Sequence, residues 1–435
     1  MQRPAQRPSV DLTIERLGQL GEGIGSVEGH TVFVPGALPG ERVRAQIRED
    51  GKVFRGTLES VLEPSPQRRI PPCPYAKRCG GCDWQHLDEQ AQRTAREEIV
   101  LSALEHLGGI PRSGYERRPL LTAGTGLGYR RRALLHVFPA GLGGGLGYFA
   151  AHSHEPVAVA HCPALVPALQ PMPGALAALL APVAKEIEAV QLLAEGGASA
   201  ASLSLKGRVR PRLLELAEHM CRELGFAGVV LLPKEGAPVL VGAPTLKAPA
   251  PGNPAVHLLL RPDGFTQANG ALAPELVGSA LTLLGAEKTD RVLELYSGNG
   301  FFTFGLAATA AHVTGVEGAS LSSTLAQKSA AASKVTNVRF MTGDVRKVVE
   351  GLARERTRFE LLLADPPRTG APGLGSWAQK LEVRRVVYVA CDAGSLARDA
   401  KGLLEHGFSA QTLQLVDMFP QTRHVEAVMS FERRG

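Results

Sequence analysis

Apolar positions along this chain follow two different periods. From about Asp11 to Leu62 they alternate with polar ones, as in Asp11-Leu12-Thr13-Ile14-Glu15 and Arg42-Val43-Arg44-Ala45-Gln46-Ile47. A period of two puts successive side chains on opposite faces of a strand. Turns at Gly21-Glu22-Gly23, Pro35-Gly36, Pro39-Gly40 and Asp50-Gly51 cut the pattern into short pieces. About five strands within about fifty residues predict a small β-barrel. Glu89 to Leu107 instead shows helical spacing, with Ile99, Leu101, Leu104 and Leu107. The Ala/Leu-rich stretch from Ala164 to Ala194 is interrupted by Pro167, Pro171, Pro173 and Pro182, and reads as a part-buried helix. From Tyr129 to about Phe265 strands and helices mix without a further signature.

In the last third, short continuous apolar runs alternate with helical stretches. Buried parallel strands read this way, so an α/β fold with a mostly parallel, doubly wound sheet is predicted. Val292-Leu293-Glu294-Leu295-Tyr296 is the first strand, followed by the turn Ser297-Gly298-Asn299-Gly300. His312 to Val316 is the next and ends on Glu317, placed to bind ribose hydroxyls. The turn lacks the third glycine of a dinucleotide fingerprint, because Phe301 and Phe302 follow. An adenosine nucleoside such as S-adenosylmethionine suits it better, with Asp344 placed to meet the adenine. Leu361 to Ala364 runs into Asp365-Pro366-Pro367-Arg368, and Val386 to Ala390 runs into Cys391. Leu413-Gln414-Leu415-Val416 and Val425-Glu426-Ala427-Val428 are expected to pair antiparallel and close the sheet. Ligands of such sheets lie at the carboxyl ends of the strands. A strand-end thiol beside a carboxylate, Cys391 beside Glu426, suits nucleophilic addition followed by proton removal.

Composition narrows the choice. At 435 residues two or three domains are expected, and 44% apolar with 21% charged residues is a globular balance. No run approaches the ~18 apolar residues of a membrane span, and the N-terminus lacks an apolar leader core, so a cytosolic location is expected. The net charge is +6, and the arginines cluster at Arg68-Arg69, Arg117-Arg118, Arg130-Arg131-Arg132 and Arg384-Arg385. Clusters of that kind suit a polyanion. Six cysteines in a reducing compartment point to metal binding or catalysis rather than disulfides. Cys73, Cys79 and Cys82 are grouped, and Cys162, before Pro163, is the natural fourth thiolate. Four thiolates hold either zinc or an iron–sulfur cluster, and three grouped thiols with one distant Cys-Pro fit a [4Fe–4S] cluster better. His86 or His161 could replace a thiolate in a zinc site.

Taken together these segments resemble the RNA uracil-5-methyltransferase family, in particular its 23S ribosomal RNA branch with an N-terminal TRAM barrel and a [4Fe–4S] cluster. The motifs are Asp365-Pro366-Pro367-Arg368, the strand-end Cys391, Phe419-Pro420-Gln421-Thr422-Arg423-His424-Val425-Glu426 and Phe265-Thr266-Gln267-Ala268-Asn269. The resemblance implies a TRAM-like RNA-binding barrel over 1–66, a central α+β unit with the cluster over 67–265, and a Rossmann-like class I methyltransferase unit over 266–435. It implies methyl transfer from S-adenosylmethionine to C5 of a uridine, with Cys391 as nucleophile and Glu426 as base. A partly ionised thiol near neutral pH is expected for that role. Gln267, Tyr296, Gly298, Gly300, Glu317, Asp344 and Asp365 would line the cofactor pocket. Arg368, Arg130, Arg131 and Arg132 would meet the RNA, and Cys73, Cys79, Cys82 and Cys162 would hold the cluster. Three departures accompany the match: Ser297 replaces a usual Cys, Phe301 replaces a cofactor-contacting Asn, and Ser329 and Ser333 replace Asn residues. The rival readings are a tRNA target, methylation of an exocyclic amine and a non-catalytic RNA-binding assembly factor. Arg368 and Cys391 argue against the amine chemistry, which uses an aromatic residue after the prolines and no thiol.

Overall fold

A computed structural model describes residues 8–434 except 125 and 152. Strands Ser9–Leu17, Gly23–Val27, His30–Val34, Arg42–Asp50 and Val53–Glu63 close into a barrel. The period-two pattern turns Leu12, Ile14, Val32, Val34, Val43, Ala45 and Ile47 inward as one core, while Asp11, Thr13, Arg42 and Arg44 face out. At the bulge where Ile14 pairs with Gly25, a Cβ on Gly25 would lie 2.3 Å from the Thr13 carbonyl oxygen, so only glycine permits the crossing.

The central sheet has seven strands, in the order Val239–Gly242, Gly228–Leu232, Ala198–Leu205, Ile187–Glu195, Arg132–Phe138, Gly145–Phe149 and Pro156–Ala158. The helix expected over Ala164 to Ala194 is only partly there. Met172–Leu180 is helical, a short 3-10 turn covers Ala181–Val183, and Ile187–Glu195 is a strand paired with Ala198–Leu205. Pro182 removes a helical donor, and Gly196-Gly197 permits the left-handed turn that folds the strand back, with φ of 57° and 82°.

The third sheet decides where the chemistry sits. Its strands are β1 (Arg291–Leu295), β2 (His312–Glu317), β3 (Val338–Thr342), β4 (Leu361–Ala364), β5 (Arg385–Ala390), β6 (Phe408–Val416) and β7 (Glu426–Arg433). They are ordered β3-β2-β1-β4-β5-β7-β6, with Glu116–Arg117 added outside β6. β1 to β5 are parallel, and β7 is antiparallel to both β5 and β6. This is the expected α/β, Rossmann-like class I methyltransferase architecture. β4 is buried throughout, with Leu361 and Leu363 in one core and Leu362 and Ala364 in the other. Helices on both faces thus explain its unbroken apolar run.

Residues before 266 also enter this unit's packing. Helix Glu89–His106 lies on helix Ala393–Glu405, and the hairpin of Leu246–Ala250 and Asn253–Leu260 packs against helix Ser320–Ala332. Leu246, Leu258 and Leu260 share a core with Val292 and Val313.

Candidate active site

The order of β1 and β4 at the sheet's centre creates a switch point, where the connections diverge and leave a crevice beyond the strand ends. A cavity of about 1090 Å³ fills it, lined among others by Tyr296, Gly298, Glu317, Asp344, Asp365, Arg368, Cys391 and Glu426. Five strand ends supply these groups: Tyr296 follows β1, Glu317 closes β2, Asp344 follows β3, Asp365 follows β4 and Cys391 follows β5. β7 runs the other way, so its first residue, Glu426, reaches the same end. The pairing of Ala390 with Ala427 sets Glu426 beside Cys391.

Backbone conformation shapes the cofactor side of the cavity. Tyr296 (φ 63°), Gly298 (φ 55°) and Gly300 (φ 90°) all lie in the left-handed region, which turns the chain sharply at the end of β1. Glu317 accepts from the Gly298 N–H at 2.8 Å and from the Ala319 N–H at 2.6 Å, so its carboxylate is fixed. Asp344 caps helix Val345–Arg354 by accepting from the Lys347 N–H at 3.0 Å. Gln267 is buried and lines the cavity, while Gly300 does not: it lies behind, where a Cβ would meet the Phe304 ring at 2.5 Å.

Charge on the other side is strongly perturbed. Burial pushes the Cys391 thiol up to about 12; Glu426 and Asp365 add to the shift, and Arg368 opposes it. The expected partly ionised thiol is therefore not what this pocket holds at rest. Two carboxyl groups and little solvent disfavour a third negative charge. Burial likewise raises Asp365 to about 7, and burial with the Asp365 neighbour raises Glu426 well above the carboxylate range. His424 lines the cavity and its Nε2 is 3.2 Å from Arg368 Nη2. Burial and the charges of Arg368 and Arg423 lower His424 to about 4, so it is neutral near pH 7 and can accept from Arg368.

Of the arginine triplet, Arg130 and Arg132 line the cavity and Arg131 does not. Arg131 is turned into the protein, donating to the Gln267 carbonyl at 2.9 Å, to Thr266 Oγ1 at 3.3 Å and to Glu195. It braces the segment that carries Gln267. Arg132 donates to Gln191 Oε1 at 2.7 Å and lies over the Phe265 ring.

The other four cysteines sit elsewhere. Cys73, Cys79, Cys82 and Cys162 line one small cavity of about 50 Å³, together with Arg130, Tyr75 and Tyr148. Cys79 Sγ accepts from the Gly81 N–H at 3.4 Å, and Tyr148 Oη is 4.0 Å from Cys162 Sγ. Among the described residues no three His, Cys, Asp or Glu side chains are grouped so as to hold a metal ion. The four thiols thus border one space, with a backbone N–H on one sulfur, without being drawn together as ligands. His86 and His161 differ in their reach: His161 lines this cavity and His86 does not.

Two of the three departures from the family motifs have identifiable surroundings. Ser329 Oγ accepts from the Leu259 N–H at 3.0 Å, and Ser333 Oγ from the His257 N–H at 3.4 Å, so both pin the hairpin to helix Ser320–Ala332. Phe301 lines the cavity and packs edge-on against Phe302 at 5.0 Å between centroids.

Three side chains that shape the site carry weaker sequence signals. His424 precedes Glu426 by two, and an extended chain puts such positions on one face. Asp399 interrupts the apolar face of helix Ala393–Glu405; it accepts from Tyr388 Oη at 2.5 Å and from the Ala371 N–H at 2.6 Å, holding the loop after Arg368. Glu294 is fully buried in β1, where it accepts from Thr303 Oγ1 at 2.5 Å. Burial, with Asp365 and Glu317 adding to it, raises it to about 8.

Sheet order, glycine turn and strand-end carboxylates define a class I methyltransferase that uses S-adenosylmethionine. Comparison with known proteins narrows this. The model of the tRNA (uracil-5-)-methyltransferase family matches residues 255–434, and the TRAM domain model matches residues 7–58. The 23S rRNA (uracil(1939)-C(5))-methyltransferase RlmD of Shewanella baltica is 35% identical over 97% of this chain and 95% of its own length. That of Pectobacterium atrosepticum is 33% identical over 97% and 93%. The crystal structure of Pyrococcus abyssi tRNA (uracil-54, C5)-methyltransferase with S-adenosyl-L-homocysteine superimposes with a TM-score of 0.72 over 97% of this chain and 100% of that one, at 20% identity, a likeness of fold. The chain belongs to the RNA uracil-5-methyltransferase family, and it is an S-adenosylmethionine-dependent enzyme with an RNA-binding TRAM barrel.

Proposed function

We propose that this enzyme methylates C5 of a uridine in 23S rRNA through a covalent adduct between Cys391 and C6 of the base. The observation that supports it most is the placing of Cys391 and Glu426 one step beyond the Ala390–Ala427 pair of β5 and β7, inside the cavity that Glu317 and Asp344 also line. A ribosomal target is favoured over tRNA because the 23S rRNA enzymes match this chain end to end at about one-third identity, whereas the tRNA enzyme shares the fold.

Uracil C5 is a weak nucleophile. When the Cys391 sulfur bonds to C6, the C5–C6 π electrons move toward C4 and its oxygen, and C5 becomes enolate-like. S-adenosylmethionine, when bound, supplies an electrophilic sulfonium methyl, which the glycine turn, Gln267, Tyr296, Glu317, Asp344 and Asp365 would present. Since the resting thiol is protonated, addition requires Arg368 to stabilise the thiolate while its proton leaves to Asp365 or water. Glu426, once its resting proton has passed to water as the base enters, then takes the C5 proton, the C5–C6 double bond re-forms and the sulfur leaves. A carboxylate with raised proton affinity is a strong base once ionised. Gln267 would polarise the base, and the target nucleotide must leave its stack to reach the thiol. Arg130 and Arg132 line the route that it would take.

The four remaining thiols, Cys73, Cys79, Cys82 and Cys162, would hold a [4Fe–4S] cluster that ties the segment after the barrel to the central sheet. A four-iron cube is wider than the shell of about 2.3 Å bonds around one zinc ion, so its thiols need not stand close together beforehand. The working division is an RNA-holding barrel over 1–66, a thiol-bearing unit over 67–265 and a catalytic unit over 266–435, acting in the cytosol. The test is 5-fluorouridine RNA, whose C5 fluorine cannot be removed as a proton. Incubation with S-adenosylmethionine should give a denaturation-resistant adduct on the Cys391 peptide. Turnover of unmodified 23S rRNA with no such adduct would reject the covalent route.

A further inference from the structure

The loop between β6 and β7 carries the motif from Phe419 to Glu426, and Asp83 and Trp84, just after Cys82, hold polar groups of Arg423 and Gln421. Asp83 grips Arg423 twice: Oδ1 accepts from the Arg423 backbone N–H at 3.1 Å and Oδ2 from Nη1 at 2.7 Å. The next residue in the loop, His424, faces the active-site cavity and contacts Arg368 at 3.2 Å. Arg368 in turn lines the same cavity as Cys391 and lowers the proton affinity of its thiol. One polar chain therefore runs from the cysteine segment to the nucleophile. Arg368 is solvent-exposed and long, so without a fixed partner its guanidinium would sample many rotamers and spend little time at the sulfur.

We propose that Asp83 is a positioning residue for methyl transfer: by seating Arg423 it holds His424 against Arg368, and so keeps the Arg368 guanidinium on Cys391. The thiol-bearing segment then acts on the nucleophile at a distance, because Asp83 adjoins Cys82 in the chain. This rests on Cys391 being the reacting thiol, which the loss of methylation in Cys391→Ala tests separately.

The measurement is the rate at which iodoacetamide alkylates Cys391 in the purified full chain at pH 8, read on the Cys391 peptide by mass spectrometry. No RNA or methyl donor is needed. Asp83→Ala should slow alkylation about tenfold, which corresponds to about one unit of thiol acidity. Asp83→Glu should recover to within about threefold, whereas S-adenosylmethionine affinity and the unfolding midpoint should stay unchanged in both. His424→Ala should slow alkylation similarly, and the double variant should be no slower than either single one, because both act through Arg368. If Asp83→Ala does not fold, Asp83→Asn, which has the same shape without the charge, is read in its place. Alkylation as fast as in the unsubstituted chain, or losses from Asp83 and His424 that multiply, would overturn the proposal.

Discussion

The two cysteine-lined cavities share a wall, since Arg130 and Tyr148 face both, yet they differ in the number of thiols and in the carboxyl groups beside them. The larger is built on strand ends. Its one thiol is raised first by burial and then by Glu426 and Asp365, with Arg368 opposing them, so charges fixed by the sheet modulate the proton affinity of the sulfur. The smaller is built on loops. Burial raises Cys79, Cys82 and Cys162, with Cys82 reaching about 12, against neutral donors and, at Cys82, the charge of Arg130; the neighbouring thiols add smaller increases. Thiols are alike as isolated groups. A lone one among carboxyl groups and an arginine suits attack, and four lining one cavity are the groups on which the proposed cluster rests.

Replacing one thiol from each cavity should break the comparison most sharply. Cys391→Ala should lower methyl transfer from labelled S-adenosylmethionine by about 10⁴-fold or more, as loss of a nucleophile commonly does. Its iron and sulfide should remain. Cys79→Ser should do the reverse in kind: it should lose most of the about four iron and four sulfide expected per chain in anaerobic preparations, while retaining measurable transfer. One zinc per chain without sulfide would remove the cluster reading.

Within the larger cavity, Glu426→Gln should still permit addition and methylation but slow elimination by about 10²- to 10⁴-fold. A stalled protein–RNA adduct carrying the new methyl should then accumulate on denaturing gels. Normal turnover would move the base role to Asp365.

The arginine triplet gives a smaller effect with a clear pattern. Arg132→Ala should weaken RNA binding and reduce the salt slope by about 0.7 to 0.9 for each phosphate it no longer neutralises. Arg131→Ala should leave that slope alone and lower stability instead, because its guanidinium is spent inside the protein on Gln267, Thr266 and Glu195. Titrations of a labelled RNA at several salt concentrations, with denaturant midpoints, separate the two.

The last effect is on stability and concerns Glu294, behind the glycine turn. Burial raises its pKa on folding from the ordinary 4.5 to about 8. The folded chain therefore holds a proton that the unfolded chain has released, and this group's contribution is complete below pH 4.5 and lost as pH rises through 8. Glu294→Gln should flatten the fall in stability across that window, by up to about 1.4 kcal/mol per pH unit. Denaturant unfolding at about pH 5, 6.5 and 8, spanning that window, measures it.

Elements with a strong local period were legible without coordinates. Alternation alone reports the barrel, because Val43 and Ala45 must turn away from water while Arg42 and Arg44 need not. The parallel strands, buried on both faces, likewise read as apolar runs, and each hands its last residue to the crevice. Cys391, Glu317 and Asp365 could be named on that ground. Local period failed where pairing overrides it. Ile187–Glu195 lies in an Ala/Leu-rich stretch, and its partner Ala198–Leu205 makes it a strand. The thiol's proton affinity also lay outside the sequence, because it depends on Glu426 and Asp365, far along the chain or on another strand. So did the inward turn of Arg131 and the hold of Asp83 on Arg423. The residue types and their order determine which groups are available. Burial and long-range partners, which exist only once β5 and β7 pair and the cysteine segment docks, decide the charge each one carries and the atom it faces.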